Sequence, residues 1–200
     1  MDLEKTIANL KKNEFEVSYF ETGAEAAAYL DSRIDGKTVG FGDSETLRVM
    51  GISAMLAKHN TVYDPIGIHD DGEFMEIARK TQLTDIFLTS VNAISETGAL
   101  VNIDGTGNRV AGSIFGHEKV YMVASTKKIE PTLEEAIFRA RNVAAPINAQ
   151  RFGLNTPCAK TGSCMNCKSP DTICCQFLIT RYSHHPDRIH VILVGENLGF

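Results

Sequence analysis

The 200-residue sequence has no run of lysine or arginine, no apolar stretch approaching the length of a membrane span, no internal repeat or low-complexity tract, and no cysteine before position 158. Each absence excludes something. A nucleic-acid surface needs a basic stripe that displaces phosphate counterions, and a formal net charge of -5 without a Lys/Arg run offers none. A membrane-spanning helix needs about twenty consecutive apolar residues, so no membrane partner is expected. The stretch from Met1 to Val17 lacks the uninterrupted apolar core of a secretory leader, and a cytosolic (cytoplasmic) protein is expected. Disulfides are uncommon in that compartment, so five cysteines confined between Cys158 and Cys175 point to a metal or redox role. With 43% hydrophobic and 22% charged residues, the chain has the composition of a globular protein with one substantial core, and it reads as one domain over 1–200.

Apolar periodicity alternates between helical and extended spacing. Leu3, Ile7 and Leu10 fall at helical intervals, and residues 24–34 repeat the pattern behind a capping Thr22. Lys37 to Gly42 is a short buried strand running into a glycine turn, with a helix expected over 44–59. Further strands are expected at 61–64, 85–90, 99–103, 120–125 and 189–194, mostly continuous apolar runs of the kind that helices cover on both faces. Helices are expected at 73–81, 108–115 and 131–144, the last opened by Pro131-Thr-Leu-Glu-Glu, where acidic residues favour a helix N-terminus. The alternation predicts an α/β fold with a mainly parallel sheet. From 153 to about 188 the rhythm gives way to Asn, Thr, Pro, Cys, Gly, Ser and Lys, with a weak apolar run at 174–179, which reads as a cysteine-bearing loop insertion before the last strand.

Three constellations could carry chemistry. In Val39-Gly-Phe-Gly-Asp-Ser-Glu-Thr46, Gly40 and Gly42 would let backbone N–H groups approach an anion, while Ser44 and Thr46 stand where the next helix begins. The segment is neither a dinucleotide fingerprint nor a P-loop, and a capped tight turn accounts for it equally well. The second is the polar run from Thr89 to Arg109, directly after a buried strand, where open α/β sheets place ligands. Its pocket candidates are Asn92, Glu96, Asn108 and Arg109. Glu96 could act as base or nucleophile if burial raised its pKa, and Arg109 could hold a carboxylate bidentately. Asp104-Gly-Thr-Gly107 is better explained as turn chemistry. The third is the cluster Cys158, Cys164, Cys167, Cys174 and Cys175, whose Cys-x2-Cys pair is a spacing used by zinc and by iron–sulfur clusters, with a redox dithiol as the next reading. His184-His185 could add a nitrogen ligand but reads better as a surface turn; His59, His117 and His190 read as structural.

At these same residues the chain resembles the LUD (lactate-utilisation) family, which includes the lactate utilisation C-type proteins. The resemblance rests on Thr38-Val-Gly-Phe-Gly with Ser44-x-Thr-Leu, on the run from Asp85 to Ala111, and on Phe115-Gly-His-Glu-Lys-Val. It continues through Leu133-Glu-Glu-Ala-Ile with Arg139 and Arg141, Ala145-Pro-Ile-Asn-Ala, Thr156-Pro-Cys-x3-Gly-x-Cys-x2-Cys, and the segment from Arg188 to Gly199. Asp43 stands where the family has a second glycine, and Ser125-Thr126 precedes Lys127-Lys128 where Gly-Arg-Asn-Lys is usual. The resemblance implies a three-layer fold similar to ribose-5-phosphate isomerase, glucosamine-phosphate deaminase (NagB/RpiA) and CoA transferases, whose ligands are often phosphorylated or carboxylated. It also implies a link to oxidation of lactate beside iron–sulfur partner subunits.

The resulting expectation is a protein of lactate or hydroxy-acid utilisation. It would bind a small carboxylate or phosphate ligand at Gly40 to Thr46 and Asn92 to Arg109, and carry an iron–sulfur cluster or zinc on its cysteines. A non-catalytic assembly or regulatory subunit with a zinc-bound docking loop is the alternative, and an isomerase or transferase using Glu96 a third. Association into a homo-oligomer is left open.

Overall fold

The computed structural model describes residues 1–200. Ten strands follow one another as β1 (Glu16–Phe20), β2 (Thr38–Phe41), β3 (Thr61–Tyr63), β4 (Ile86–Thr89), β5 (Ala93–Ser95), β6 (Leu100–Asp104), β7 (Lys119–Ser125), β8 (Ile129–Glu130), β9 (Gln176–Thr180) and β10 (Ile189–Val194). Six of them form a wholly parallel sheet in the order β1-β10-β7-β4-β2-β3.

Alternation along the central strands decides what covers each face. Tyr121 and Val123 of β7, Ile192 and Val194 of β10, and Ile86 and Leu88 of β4 pack with helices α2 (Gly23–Arg33), α3 (Glu45–Met50) and α4 (Ile52–Leu56). Val120, Met122 and Ala124 point the other way with Ile189, Val191, Leu193 and Phe87, against Leu10 of α1 (Leu3–Lys12). The same face receives α5 (Asp71–Thr81) and α6 (Asn108–Ile114): Thr81 lies over Gly40, and Gly112 lies over the Phe87 ring. The result is a three-layer α/β fold whose central strands are apolar on both faces.

The structure corrects four expectations. The helix expected over 44–59 is two, because Gly51 adopts the left-handed conformation (φ 65°) between α3 and α4. The helix ending at 144 instead runs on as α7 (Leu133–Arg139), a π-helical turn (Ala140–Ala144) and α8 (Ala145–Arg151). Pro146 lacks an N–H and breaks the α ladder, but a single wider turn absorbs the interruption instead of ending the helix.

The strand expected at 99–103 is β6, and it leaves the main sheet. Ser95 accepts the Gly98 N–H at 2.8 Å, Gly98 sits at φ 83°, and the chain doubles back so that β6 runs antiparallel to β5. These two join β8 and β9 in a mixed four-stranded sheet of order β8-β5-β6-β9, packed on α7 through Ala93, Val101, Ile103 and Ala136. Finally, the stretch read as a loop insertion contributes β9, paired residue for residue with β6 from Leu100↔Thr180 to Asp104↔Gln176, after a short helix α9 (Pro157–Thr161). Its side chains are mostly exposed, as an edge strand permits, which explains why the apolar signal there is weak. No helix is long and apolar enough to cross a membrane.

Candidate functional site

Three adjacent strands of the main sheet, β2, β4 and β7, end at one rim, and each is followed by polar residues. Asp43-Ser-Glu-Thr46 follows β2, Ser90-Val-Asn92 follows β4, and a 3-10 turn over Thr126–Lys128 follows β7. Residues from all three segments line a cavity of about 50 Å³, with Arg109, Asn148, Arg151 and Phe200 completing its lining. Asp43, Asn92, Arg109 and Arg151 also line an adjoining cavity of about 910 Å³, whose apolar wall includes Ile66, Phe74, Ile103 and Phe152. The carboxyl edge of a parallel sheet is where such folds bind ligands.

Lys128 dominates the smaller cavity. Only 4% of it is exposed. Its Nζ donates to Thr46 Oγ1 (3.2 Å), Ser90 Oγ (3.1 Å) and the Val91 carbonyl (3.2 Å), and no carboxylate lies within ion-pair reach. Burial drives its ammonium down to about 7, with the nearby Arg139 and Arg109 guanidiniums pushing in the same direction. The other cations of the rim are partnered. Arg109 Nη2 donates to the Ile103 carbonyl (2.6 Å) and lies 3.5 Å from Asp104 Oδ1, while Arg151 Nη1 meets Glu45 Oε2 at 3.1 Å. Asp43 takes a left-handed backbone (φ 46°), and burial raises its carboxyl pKa against the opposing pull of Arg151 and Arg109. The chain's last residues close the site from above. Gly199 (φ 66°) passes so close that a Cβ there would sit 2.3 Å from Thr46 Oγ1 and 3.2 Å from Lys128 Nζ.

Of the sequence candidates, the rim brings together Ser44, Thr46, Asn92 and Arg109 around the smaller cavity, while Asn108 lines the larger one. Ser44 also caps α3, accepting the Leu47 N–H at 3.3 Å, and Asn92 Oδ1 accepts the Ile103 N–H at 2.7 Å, tying the rim to β6.

Three expectations are displaced. Gly40 and Gly42 do not line either cavity. A Cβ on Gly40 would meet the Thr81 carbonyl at 2.7 Å, and one on Gly42 would meet Thr89 Oγ1 at 2.9 Å and Arg109 Cγ at 3.1 Å, so both glycines serve close packing. Glu96 lies apart from the rim. Its carboxylate accepts from the Asp2 N–H (2.7 Å) and from Lys5 Nζ (3.0 Å), clamping the start of α1. The Lys5 ammonium, more than any other influence, holds its pKa below the usual carboxylate range, the opposite of the raised value a general base requires.

Sequence reasoning missed Lys128, Ser90, Asn148 and Arg151. The available signal was a charged residue immediately beyond the apolar run of β7, where burial on both faces leaves the rim as its only outlet.

The model of the LUD domain matches residues 3–194. The chain belongs to the LUD domain family. No curated protein matches it. Among solved structures it is similar to a DUF162 family protein from Deinococcus radiodurans, with a TM-score of 0.55 and 15% identity over 96% of each chain, a likeness that concerns the fold.

In this LUD domain the cysteines lie away from the rim. Cys158, Cys164, Cys167 and Cys174 line one cavity of about 60 Å³ with Arg141, Ile173 and Phe177, while Cys175 is exposed and turns its thiol towards the Thr172 carbonyl. All five are free thiols. Burial, and after it the proximity of the other thiols, raises Cys174 to about 11. Arg141 Nη2 reaches Cys164 Sγ at 3.6 Å and donates to Asn166 Oδ1 at 2.9 Å. No three His, Cys, Asp or Glu side chains are drawn together as a ready ligand set, yet four soft donors around one cavity fit zinc or an iron–sulfur cluster chemically. His184 and His185 do not line this cavity; their rings pack edge to face, 5.0 Å apart.

Proposed function

We propose that this LUD domain binds a small carboxylated or phosphorylated ligand at the rim formed by β2, β4 and β7, in the service of lactate or related hydroxy-acid metabolism in the cytosol. One observation carries the reading. A buried lysine without an acidic partner lines the small cavity beside two arginines already paired with Asp104 and Glu45, and an entering anion would give that lysine the counter-charge it lacks. The resemblance to ribose-5-phosphate isomerase and CoA-transferase folds, whose ligands are often phosphorylated or carboxylated, supports the same chemistry. The arginines would orient the anion through paired N–H donors while Lys128 and the Thr46 and Ser90 hydroxyls line the end of the cavity.

Titration calorimetry with inorganic phosphate, lactate, pyruvate and a sugar phosphate tests this. Saturable binding of at least one is expected, weakened about thirty-fold or more in Arg109→Gln, since removing one partner of a buried charge pair costs about 2–5 kcal/mol. Absence of binding to all four, or equal binding by Arg109→Gln, would overturn the proposal.

The thiols lining the separate cavity beside Arg141 favour an additional role: Cys158, Cys164, Cys167 and Cys174 would hold an iron–sulfur cluster or zinc. A cluster would pass electrons to partner subunits; zinc would stiffen the loop as a docking surface. Protein purified without air should contain iron with sulfide, or zinc, and lose it in Cys164→Ser. A chelator should abolish partner capture only if the loop is a docking surface.

A further inference from the structure

We propose that Lys128 is a nucleophile, and that the ligand of this site is a small carbonyl compound bearing an anionic group, such as a 2-oxo acid, which its amine converts to an iminium. The inference rests on the anion-binding reading above and adds the bond that forms.

Three features of the geometry lead to it. First, the partners of Lys128 Nζ are two hydroxyls and one carbonyl. A neutral amine is fully satisfied by that set: it can donate to Val91 O and one hydroxyl while accepting from the other, and Thr46 Oγ1 and Ser90 Oγ lie 3.2 Å apart, able to exchange roles. An amine used only as a fixed positive charge would more ordinarily face a carboxylate. Burial, which leaves the ammonium near 7, keeps a large share of the lone pair free at neutral pH.

Second, the compartment is small. About 50 Å³ accommodates roughly four water-sized groups at about 10–15 Å³ each, which suits the reacting end of a two- or three-carbon oxo acid. A longer substituent would extend past Asn92 and Arg109 into the adjoining cavity of about 910 Å³. Third, the carboxyl of Asp43 lines the same small compartment, and burial raises its pKa.

The Lys128 Nζ lone pair adds to the carbonyl carbon, and the carbonyl oxygen takes up one proton, matching the one the nitrogen loses, to give a carbinolamine. A second proton, from solvent, lets that oxygen depart as water while the nitrogen lone pair forms the C=N bond, leaving a cation in the compartment that the Asp43 carboxyl also lines. Formation is reversible and requires no oxidant or reductant.

Borohydride trapping tests it. Wild-type protein incubated with glyoxylate or pyruvate and then reduced should gain the mass of one reduced adduct, and peptide mapping should place it on Lys128 rather than on its exposed neighbour Lys127. Lys128→Arg, whose guanidinium is not a nucleophile at neutral pH, should give no adduct. Calorimetric binding by wild type without an adduct at Lys128, or an adduct confined to exposed lysines, overturns the nucleophile while leaving the anion site standing. Neither adduct nor binding overturns both.

Discussion

Lys128→Met should make the unliganded protein more stable at pH 7, by about 1–3 kcal/mol in urea denaturation, and should flatten its stability profile above that pH. The sign follows from proton linkage. The folded lysine has its pKa at about 7 and an unfolded one at 10.5, so between those values the unfolded chain binds more protons, and stability rises as pH increases. Below about pH 7 both states are protonated and the full penalty of confining an ammonium applies, about 4–5 kcal/mol at 1.4 kcal/mol per tenfold change in proton affinity. Methionine removes that penalty. Against it, the Val91 carbonyl loses its donor, which costs about 1–3 kcal/mol, while Thr46 and Ser90 can bond to each other across 3.2 Å. The net gain is therefore smaller than the penalty, and the difference between variant and wild type should shrink steadily from pH 7 to pH 10. A gap independent of pH would mean that the lysine is not the group responsible. The same linkage couples to the ligand. An anion beside Lys128 restores the higher pKa, so binding at pH 8 should take up a proton, seen as a dependence of calorimetric heat on buffer ionisation, and the methionine variant should show neither that uptake nor tight binding.

Legibility in the sequence differed by the kind of signal each residue sends. The central strands were readable because runs such as Val120–Ser125 and Ile189–Val194 are apolar on both faces, which only a covered parallel sheet explains. The second sheet was not, because β5 and β8 are three and two residues long and β9 is largely exposed, leaving no periodicity to count. Among site residues, Asn92 and Arg109 could be found because they follow β4 and open α6. Arg151 and Asn148 could not, since the helix expected over 131–144 stops short of them. Glu96 misled for a physical reason: a lone carboxylate in a hairpin looks the same whether it faces a ligand or the α1 N-terminus, and only tertiary packing distinguishes the two. Gly40 and Gly42 likewise allow close approach, but by a threonine carbonyl and an arginine stem rather than by an anion.

Gly112 extends that lesson to a case where two elementary arguments give opposite signs. It sits inside α6, and on helix propensity alone Gly112→Ala should stabilise by about 1 kcal/mol. Packing says the reverse. A Cβ at 112 would lie 2.7–2.8 Å from three carbons of the Phe87 ring, and that ring has nowhere to go: His117 stacks on it at 4.9 Å, and Gly42 is already close enough that a Cβ there would meet the ring at 3.0 Å. Phe87 is fully buried on β4, so relief would have to come from moving α6 away from the sheet, carrying Arg109 with it. Overpacking of this kind costs about 1–3 kcal/mol beyond any propensity gain, so Gly112→Ala is expected to lower the melting temperature and to weaken anion binding at the rim. Phe87→Leu alone should also destabilise, by leaving a gap where the ring was. Made together, the two changes should cost less than their sum by about 0.5–3 kcal/mol, because the added methyl enters the space the ring vacates. A double-mutant cycle by urea denaturation reads this coupling directly. Additive effects would show that α6 yields instead of the ring, and would detach the position of Arg109 from the packing beneath it.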